Sequence, residues 1–287
     1  MAEPLPIFVW TMGKVGTSTI SAALRGADIP ALHLHYIRPK QSAAAGTPAS
    51  AADVARASRG KGVRALLAAG VSSAQQTGLG QLLWQRRAGA RTPPAKEDIS
   101  HTASSKRALE IISSDAQPVK VITMVREPIA RNISAFFQNL KTFQQQHDSP
   151  VEHLIQAFEE IYPHDVPLEW FDSELKQATG FDVYAETFDR DARVGHYTHG
   201  RFEFLLMRSD TDLERQQAEV SDFVQKQIPL TIQNAAKDKV YSETYAAFKN
   251  QLVLSEQYVQ RAYTSKFARH FWTDAELDEL TRRHLRK

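Results

Sequence analysis

Near the N-terminus, Gly13-Lys14-Val15-Gly16-Thr17-Ser18-Thr19 combines two glycines, a lysine and three hydroxyls. Placed between an apolar run and a helix, such a loop gathers backbone N–H groups, hydroxyls and a helix N-terminus about one point. That arrangement suits a phosphate or sulfate. It departs from the nucleotide-triphosphatase pattern G-x-x-x-x-G-K-[ST], because Lys14 precedes the second glycine. Glycine and hydroxyl residues also build ordinary turns, so the loop taken alone is compatible with a plain turn.

A second cluster lies about 110 residues on. Arg126 closes a buried apolar run, and Ser134 follows eight residues later on a helix, so both can reach one anion. Arg131, between them, can share that anion or face a surface carboxylate. Two histidines, His33 and His35, share one face of a second strand near its carboxyl end, where imidazole titrates in the range a general base requires. They can equally be bonded within the sheet edge, or ligate a metal. No Asp, His or Glu partners at recognisable spacing complete a metal site. His196 and His199 read as a glycine-flanked surface loop. Lys266 and Arg269 read either as anion partners or as solvated helix positions, and Trp10, Trp84, Trp170 and Trp272 as core.

These residues need a scaffold, and periodicity supplies one. Ile7 to Thr11 is a short strand running into the glycine loop, after which Ile20, Ala23 and Leu24 recur at helical spacing. Ala31 to Ile37 alternates apolar and polar as a second strand, and Val119 to Val125 has the length and near-continuous apolar character of a buried parallel strand. Arg126-Glu127-Pro128 then opens a helix with proline in its first turn, its core stripe being Ile129, Ile133, Phe136, Leu140 and Phe143. Further strands are predicted at Gly180 to Tyr184 and Glu203 to Arg208. Tyr241, Tyr245, Phe248 and Leu252 repeat at helical spacing. A last helix starts near Thr273, where Thr273-Asp274-Ala275-Glu276 has capping-box spacing. Strands alternating with helices predict an α/β fold, a three-layer sandwich around a mostly parallel central sheet. A single domain spanning 1–287 is expected, with a helical basic insertion at about 41–95 that has patches at Val63 to Ala69 and Leu79 to Arg87.

Composition sets the outer bounds. The 287 residues are 42% hydrophobic and 24% charged, as in an ordinary globular protein. Cysteine is absent, which excludes disulfides, thiolate nucleophiles and thiolate metal sites. With no run of 18 apolar residues and no basic leader, a cytoplasmic location is expected. The net charge of +2 hides an asymmetry: from Lys40 to Lys96, nine Lys or Arg face the single acid Asp53. That excess suits an anionic sugar chain, a nucleic acid or an anionic membrane surface, or is simply a solvated face. No specific nucleic-acid motif is evident.

Thr11-Met12-Gly13-Lys14-Val15-Gly16-Thr17-Ser18-Thr19 resembles the 5′-phosphosulfate loop of sulfotransferases that use 3′-phosphoadenosine 5′-phosphosulfate (PAPS). Arg126-Glu127-Pro128-Ile129-Ala130-Arg131-Asn132-Ile133-Ser134-Ala135-Phe136 resembles their 3′-phosphate motif, R-[DE]-P-x-x-R-x-x-S-x-[FY]. Phe202 to Leu213 is similar to their strand and acidic-leucine turn, although Thr211-Asp212-Leu213 stands where Glu-Asp-Leu is usual. Trp170 to Phe188 and Tyr263 to Trp272 look like a bacterial branch associated with capsular polysaccharide synthesis. The resemblance implies a P-loop-like fold and in-line transfer of a sulfuryl group, with no metal required, to a hydroxyl of a carbohydrate or glycolipid acceptor. It implies that Lys14, Val15, Gly16, Thr17, Ser18 and Thr19 hold the 5′-phosphosulfate, that Arg126 and Ser134 hold the 3′-phosphate, and that Lys14 steadies the leaving oxygen. It also favours His35 over His33 as base, by likeness to uronyl 2-O-sulfotransferases. A nucleotide or sugar kinase and a non-catalytic polyanion-binding module are the alternatives, and peripheral contact with an anionic inner membrane is a further expectation.

Overall fold

The first strand is β1 (Ile7–Trp10), four residues wholly buried, and it is the centre from which the sheet is built. A computed structural model describes residues 5–37, 96–114, 117–231 and 242–285 of the chain. The chain divides into two units, residues 1–37 with 103–287 and residues 38–102. The expected basic insertion at about 41–95, with its helical patches and Trp84, lies outside the described residues.

Five strands among the described residues form one sheet in the order β2-β1-β3-β5-β4. Four are parallel: β1, β2 (Ala31–Leu34), β3 (Val119–Val125) and β5 (Phe202–Arg208). The fifth, β4 (Val194–His199), pairs antiparallel with β5 at the edge. The mostly parallel sheet expected from the alternating pattern is therefore present. β3 and β5 bury nearly every residue, as strands covered on both faces must.

Helix α1 (Thr17–Gly26) follows β1, α2 (Lys96–Ser113) precedes β3, and α3 (Pro128–Gln138) leaves it. Between β3 and β4 come α4 (Val151–Glu160) and α5 (Val166–Trp170), which continues as a π-helical stretch over Phe171–Lys176. After β5 come α6 (Leu213–Val224), α7 (Ser242–Gln251), α8 (Glu256–Tyr263), α9 (Lys266–Phe271) and α10 (Asp274–Leu285). The chain steps from β1 to β2 in one direction and reaches β3 on the other side of β1. Strand order thus reverses between β1 and β3, and right-handed crossovers assign α1 and α3 to opposite faces. In an open sheet of this kind, ligands bind outside the carboxyl ends of the strands at such a reversal.

Two sequence expectations are corrected. Gly180 to Tyr184 is not a strand. Asp182 accepts a bond from the Tyr184 N–H at 3.1 Å, and Thr179 Oγ1 accepts one from the Phe181 N–H at 3.2 Å. These local bonds turn the chain into a 3-10 turn, Val183–Ala185. Val194 to His199, read as loop, is the edge strand β4. His196 is on it and pairs with Glu219 at 2.7 Å. The alternation of an edge strand is weakened here by Gly195 and by exposed polar residues.

The capping box at Thr273 is present: the Thr273 N–H donates to Glu276 Oε2 at 2.9 Å, and the Glu276 N–H donates to Thr273 Oγ1 at 3.3 Å. Trp10, Trp170 and Trp272 are buried in the core, as expected. Among the described residues, no helix is long and apolar enough to cross a membrane.

Candidate functional site

The loop after β1 is held open by backbone conformations that few residues adopt. Gly13 has φ 76°, Lys14 φ 62° and Gly16 φ 95°. A Cβ on Gly13 would lie 3.4 Å from His35 Nε2, an ordinary contact, so it is the positive φ that calls for glycine there. Gly16 takes the N-cap position of α1, with no side-chain cap.

Four successive carbonyls of this loop accept side-chain hydrogen bonds. His35 Nδ1 donates to Thr11 O at 2.9 Å. Arg131 donates through Nη2 to Met12 O at 2.5 Å and through Nε to Gly13 O at 3.3 Å. Arg126 Nη1 donates to Lys14 O at 3.2 Å. With its carbonyls held by these donors, the loop continues into Val15, Gly16, Thr17 and Ser18. Among the described residues none accepts from the backbone N–H groups of those four. They lie at the N-terminus of α1, beside the β1/β3 reversal, where a helix end and successive amides favour an anion.

The histidines converge on the same loop. His33 lies within β2, whereas His35 lies just past its end, and their rings meet edge to face with centroids 5.1 Å apart. His33 Nε2 is 3.2 Å from Thr17 Oγ1, which is 3.4 Å from Thr11 Oγ1. A carbonyl can only accept, so the bond to Thr11 O puts the proton of neutral His35 on Nδ1. That makes Nε2, against Gly13, the basic atom of the ring. The segment carrying His35 is held from α5 and the π-helical stretch: the Trp170 indole donates to His35 O at 2.9 Å, and the Ile37 N–H donates to Glu174 Oε2 at 3.1 Å. Nothing in the spacing of Trp170 and Glu174 pointed to this role. The unusual helical turn that presents them is of a kind often found at functional sites.

The predicted residues are thus partly assembled. Lys14, Val15, Gly16, Thr17, Ser18, Thr19, His33, His35 and Arg126 meet at one end of β1, β2 and β3. Thr17 is buried, its hydroxyl engaged with Thr11 and His33, while Ser18 is exposed.

Arg131, expected either at the anion or on the surface, is 5% exposed. It binds the loop carbonyls, the Tyr162 hydroxyl at 3.1 Å and Asn132 Oδ1 at 3.1 Å. Arg126 also borders a cavity of about 370 Å³ whose lining sets Arg208 and Arg283 beside the carboxylates of Glu127, Asp210, Glu276 and Glu279. Ser134, half-buried farther along α3, does not line that cavity. Lys266 pairs with Asp172 and lies over the Tyr184 ring at 4.5 Å.

Glu127 anchors the second motif. Its carboxylate accepts from the N–H groups of Ile129 and Ala130, both at 2.7 Å, and from the Tyr263 hydroxyl at 3.0 Å. It thereby caps α3, with Pro128 in the first turn. Burial raises its pKa above the ordinary carboxyl range, against those bonds and the Arg126 charge. Among the described residues, no group of three or more His, Asp or Glu side chains could hold a metal ion.

Residues 150–273 match a family model described as "Putative capsular polysaccharide synthesis protein". The matched part runs from the start of α4 to the start of α10, and so includes Trp170 and Glu174 but neither the glycine loop nor Arg126. No curated protein and no solved structure matched the chain.

Proposed function

We propose that this protein is a sulfotransferase that moves a sulfuryl group from PAPS to a hydroxyl of a carbohydrate acceptor, a polysaccharide or glycolipid precursor of the cell surface. The observation that carries the reading is the tethering of four successive loop carbonyls by His35, Arg131 and Arg126. That tethering leaves the amides of Val15 to Ser18 at a helix N-terminus next to a basic histidine nitrogen. The match over residues 150–273 to a capsular polysaccharide synthesis family supports the carbohydrate acceptor.

In this reaction the acceptor oxygen forms a bond to sulfur while the bond from sulfur to the 5′-phosphate oxygen breaks. The acceptor proton passes to His35 Nε2, and adenosine 3′,5′-bisphosphate leaves. Negative charge grows on the leaving oxygen, where Lys14 and preorganised amides of the loop can meet it without reorganising. His33, whose Nε2 is bonded to Thr17, is assigned a supporting place.

Arg126, by its place in the motif and beside the loop at Lys14 O, is assigned to the 3′-phosphate end. Ser134 is kept as its second ligand on the motif alone. The chemistry asks no metal of the chain. A basic segment outside the described residues is the proposed contact with acceptor or with an anionic membrane surface.

The test is calorimetric titration with adenosine 3′,5′-bisphosphate, against ATP with magnesium and 5′-AMP, at two salt concentrations. Binding that is tighter for adenosine 3′,5′-bisphosphate than for 5′-AMP, and that falls in Arg126→Ala, is the expected result. Preference for magnesium ATP would replace the reading with a kinase. Polyanion binding that survives both Lys14→Ala and Arg126→Ala would replace it with a non-catalytic module.

A further inference from the structure

We propose that Arg131 is the positioning residue of the anion loop, acting through the carbonyls of Met12 and Gly13 and neutralised by the anion the loop binds. This rests on the reading of Gly13 to Thr19 as an anion loop, and adds to it the residue that sets the loop's shape and charge.

The guanidinium is almost wholly buried, and among the described residues no carboxylate pairs with it. Its acceptors are two peptide carbonyls, an amide oxygen and a tyrosine hydroxyl. Such groups carry partial charges, so they solvate the cation without cancelling it. A buried charge left uncancelled is costly, and it favours whatever negative charge can approach it. The approach lies through the loop: Arg131 grips its carbonyl side, and the amides of Val15 to Ser18 follow directly. A dianion at those amides would sit on a loop whose preceding turn is held by a buried cation that, among the described residues, no carboxylate neutralises. Lysine cannot replace this grip, since one ammonium cannot span two successive carbonyls and the Tyr162 hydroxyl in the planar fork that arginine offers.

The experiment compares the full-length protein with Arg131→Lys and Tyr162→Phe. The probes, followed by calorimetry, are inorganic pyrophosphate, adenosine 5′-monophosphate and adenosine 3′-monophosphate. Arg131→Lys is expected to weaken pyrophosphate and the 5′-monophosphate by about tenfold or more, the worth of a hydrogen bond to a charged group. The 3′-monophosphate should bind as before. Tyr162→Phe, which removes one acceptor and keeps the shape, should weaken the same two probes by about threefold.

Equal losses for 5′ and 3′ probes would mark a general structural defect and overturn the assignment, as would no loss in either variant. If Arg131→Lys does not fold, Tyr162→Phe decides by the same criterion. Should the wild type bind pyrophosphate and neither nucleotide, the sulfotransferase reading falls while the Arg131 assignment is judged on pyrophosphate alone. A loss at an unchanged unfolding midpoint then sustains it, and no loss overturns it. A wild type that binds none of the three probes overturns both.

Discussion

Two buried arginines stand at the carboxyl edge of one sheet and are treated in opposite ways. Arg208, at the end of β5, is 1% exposed and its charge is cancelled. It donates to Asp210 at 2.6 and 3.0 Å and to Glu276 at 2.7 and 2.8 Å, and it lies 4.9 Å over the Trp272 ring. Arg131, on α3, holds carbonyls, an amide and a phenol instead. The first cation ties β5 to the capping box of α10 and is consumed by structure. The second leaves a net charge behind the β1 loop. An edge with a cancelled charge is a joint, and an edge with an uncancelled one is disposed toward an anion.

The contrast yields tests of decreasing size. His35→Ala should lower sulfuryl transfer by about two to four orders of magnitude, the usual contribution of a positioned general base, with adenosine 3′,5′-bisphosphate affinity near normal. Full turnover in that variant would remove His35 from the reaction. Lys14→Ala should also depress turnover strongly, and Arg126→Ala should act mainly on nucleotide binding.

Arg208→Met should cost about 1–3 kcal/mol of stability in urea unfolding, because it removes charged hydrogen bonds to Glu276 and Asp210 and leaves Arg193 as their remaining ion-pair partner. Anion affinity at the loop should be unchanged. A large loss of affinity at intact stability would mean that the β5 edge also serves the ligand, and the comparison would fail.

Gly13→Ala should cost about 1–2 kcal/mol, since φ 76° is unfavourable for a residue with a Cβ. Its affinity for anions should fall as well. Gly200→Ala, also at positive φ but with nothing within 4 Å, should cost stability alone.

A further effect is pH-dependent. Burial would raise the Glu276 carboxyl, but bonds from Arg208 and Thr273 and the arginine charge outweigh it and bring the pKa down from 4.5 to about 2. A depressed carboxyl contributes stability that is fully present above its unfolded value and lost as pH falls through the folded one. The stability gap between wild type and Glu276→Gln should therefore be constant above about pH 5 and close between 4.5 and 2. Unfolding midpoints measured at pH 7, 4 and 3 would show it, and a gap that widens in acid would contradict the assignment.

Much of the scaffold was legible because it rests on local rules. The apolar run at Val119 to Val125, Pro128 in a first turn and the Thr273 capping box each act within a few residues, and each stands where periodicity placed it. The β4 edge strand was not legible, since Gly195 and its polar neighbours lack a covered face to impose alternation. Gly180 to Tyr184 carried a strand-like pattern that Asp182 and Thr179 overrode by bonding to nearby amides.

The sequence by itself determined which residue types stand ready for the proposed anion site: the glycines and hydroxyls of the loop, Lys14, Arg126 and the histidine pair, each by its own chemistry. Only the tertiary structure decided how each is spent. Arg131 and Arg208 are the same side chain, yet one meets backbone carbonyls of β1's loop and the other meets Asp210 and Glu276. The partners of Arg131 at Met12 and Gly13 are 119 and 118 residues away in sequence. No periodicity or propensity reaches that far. Packing of β1 beside β3 brought the carbonyls to the arginine, and desolvation of both fixed their pairing.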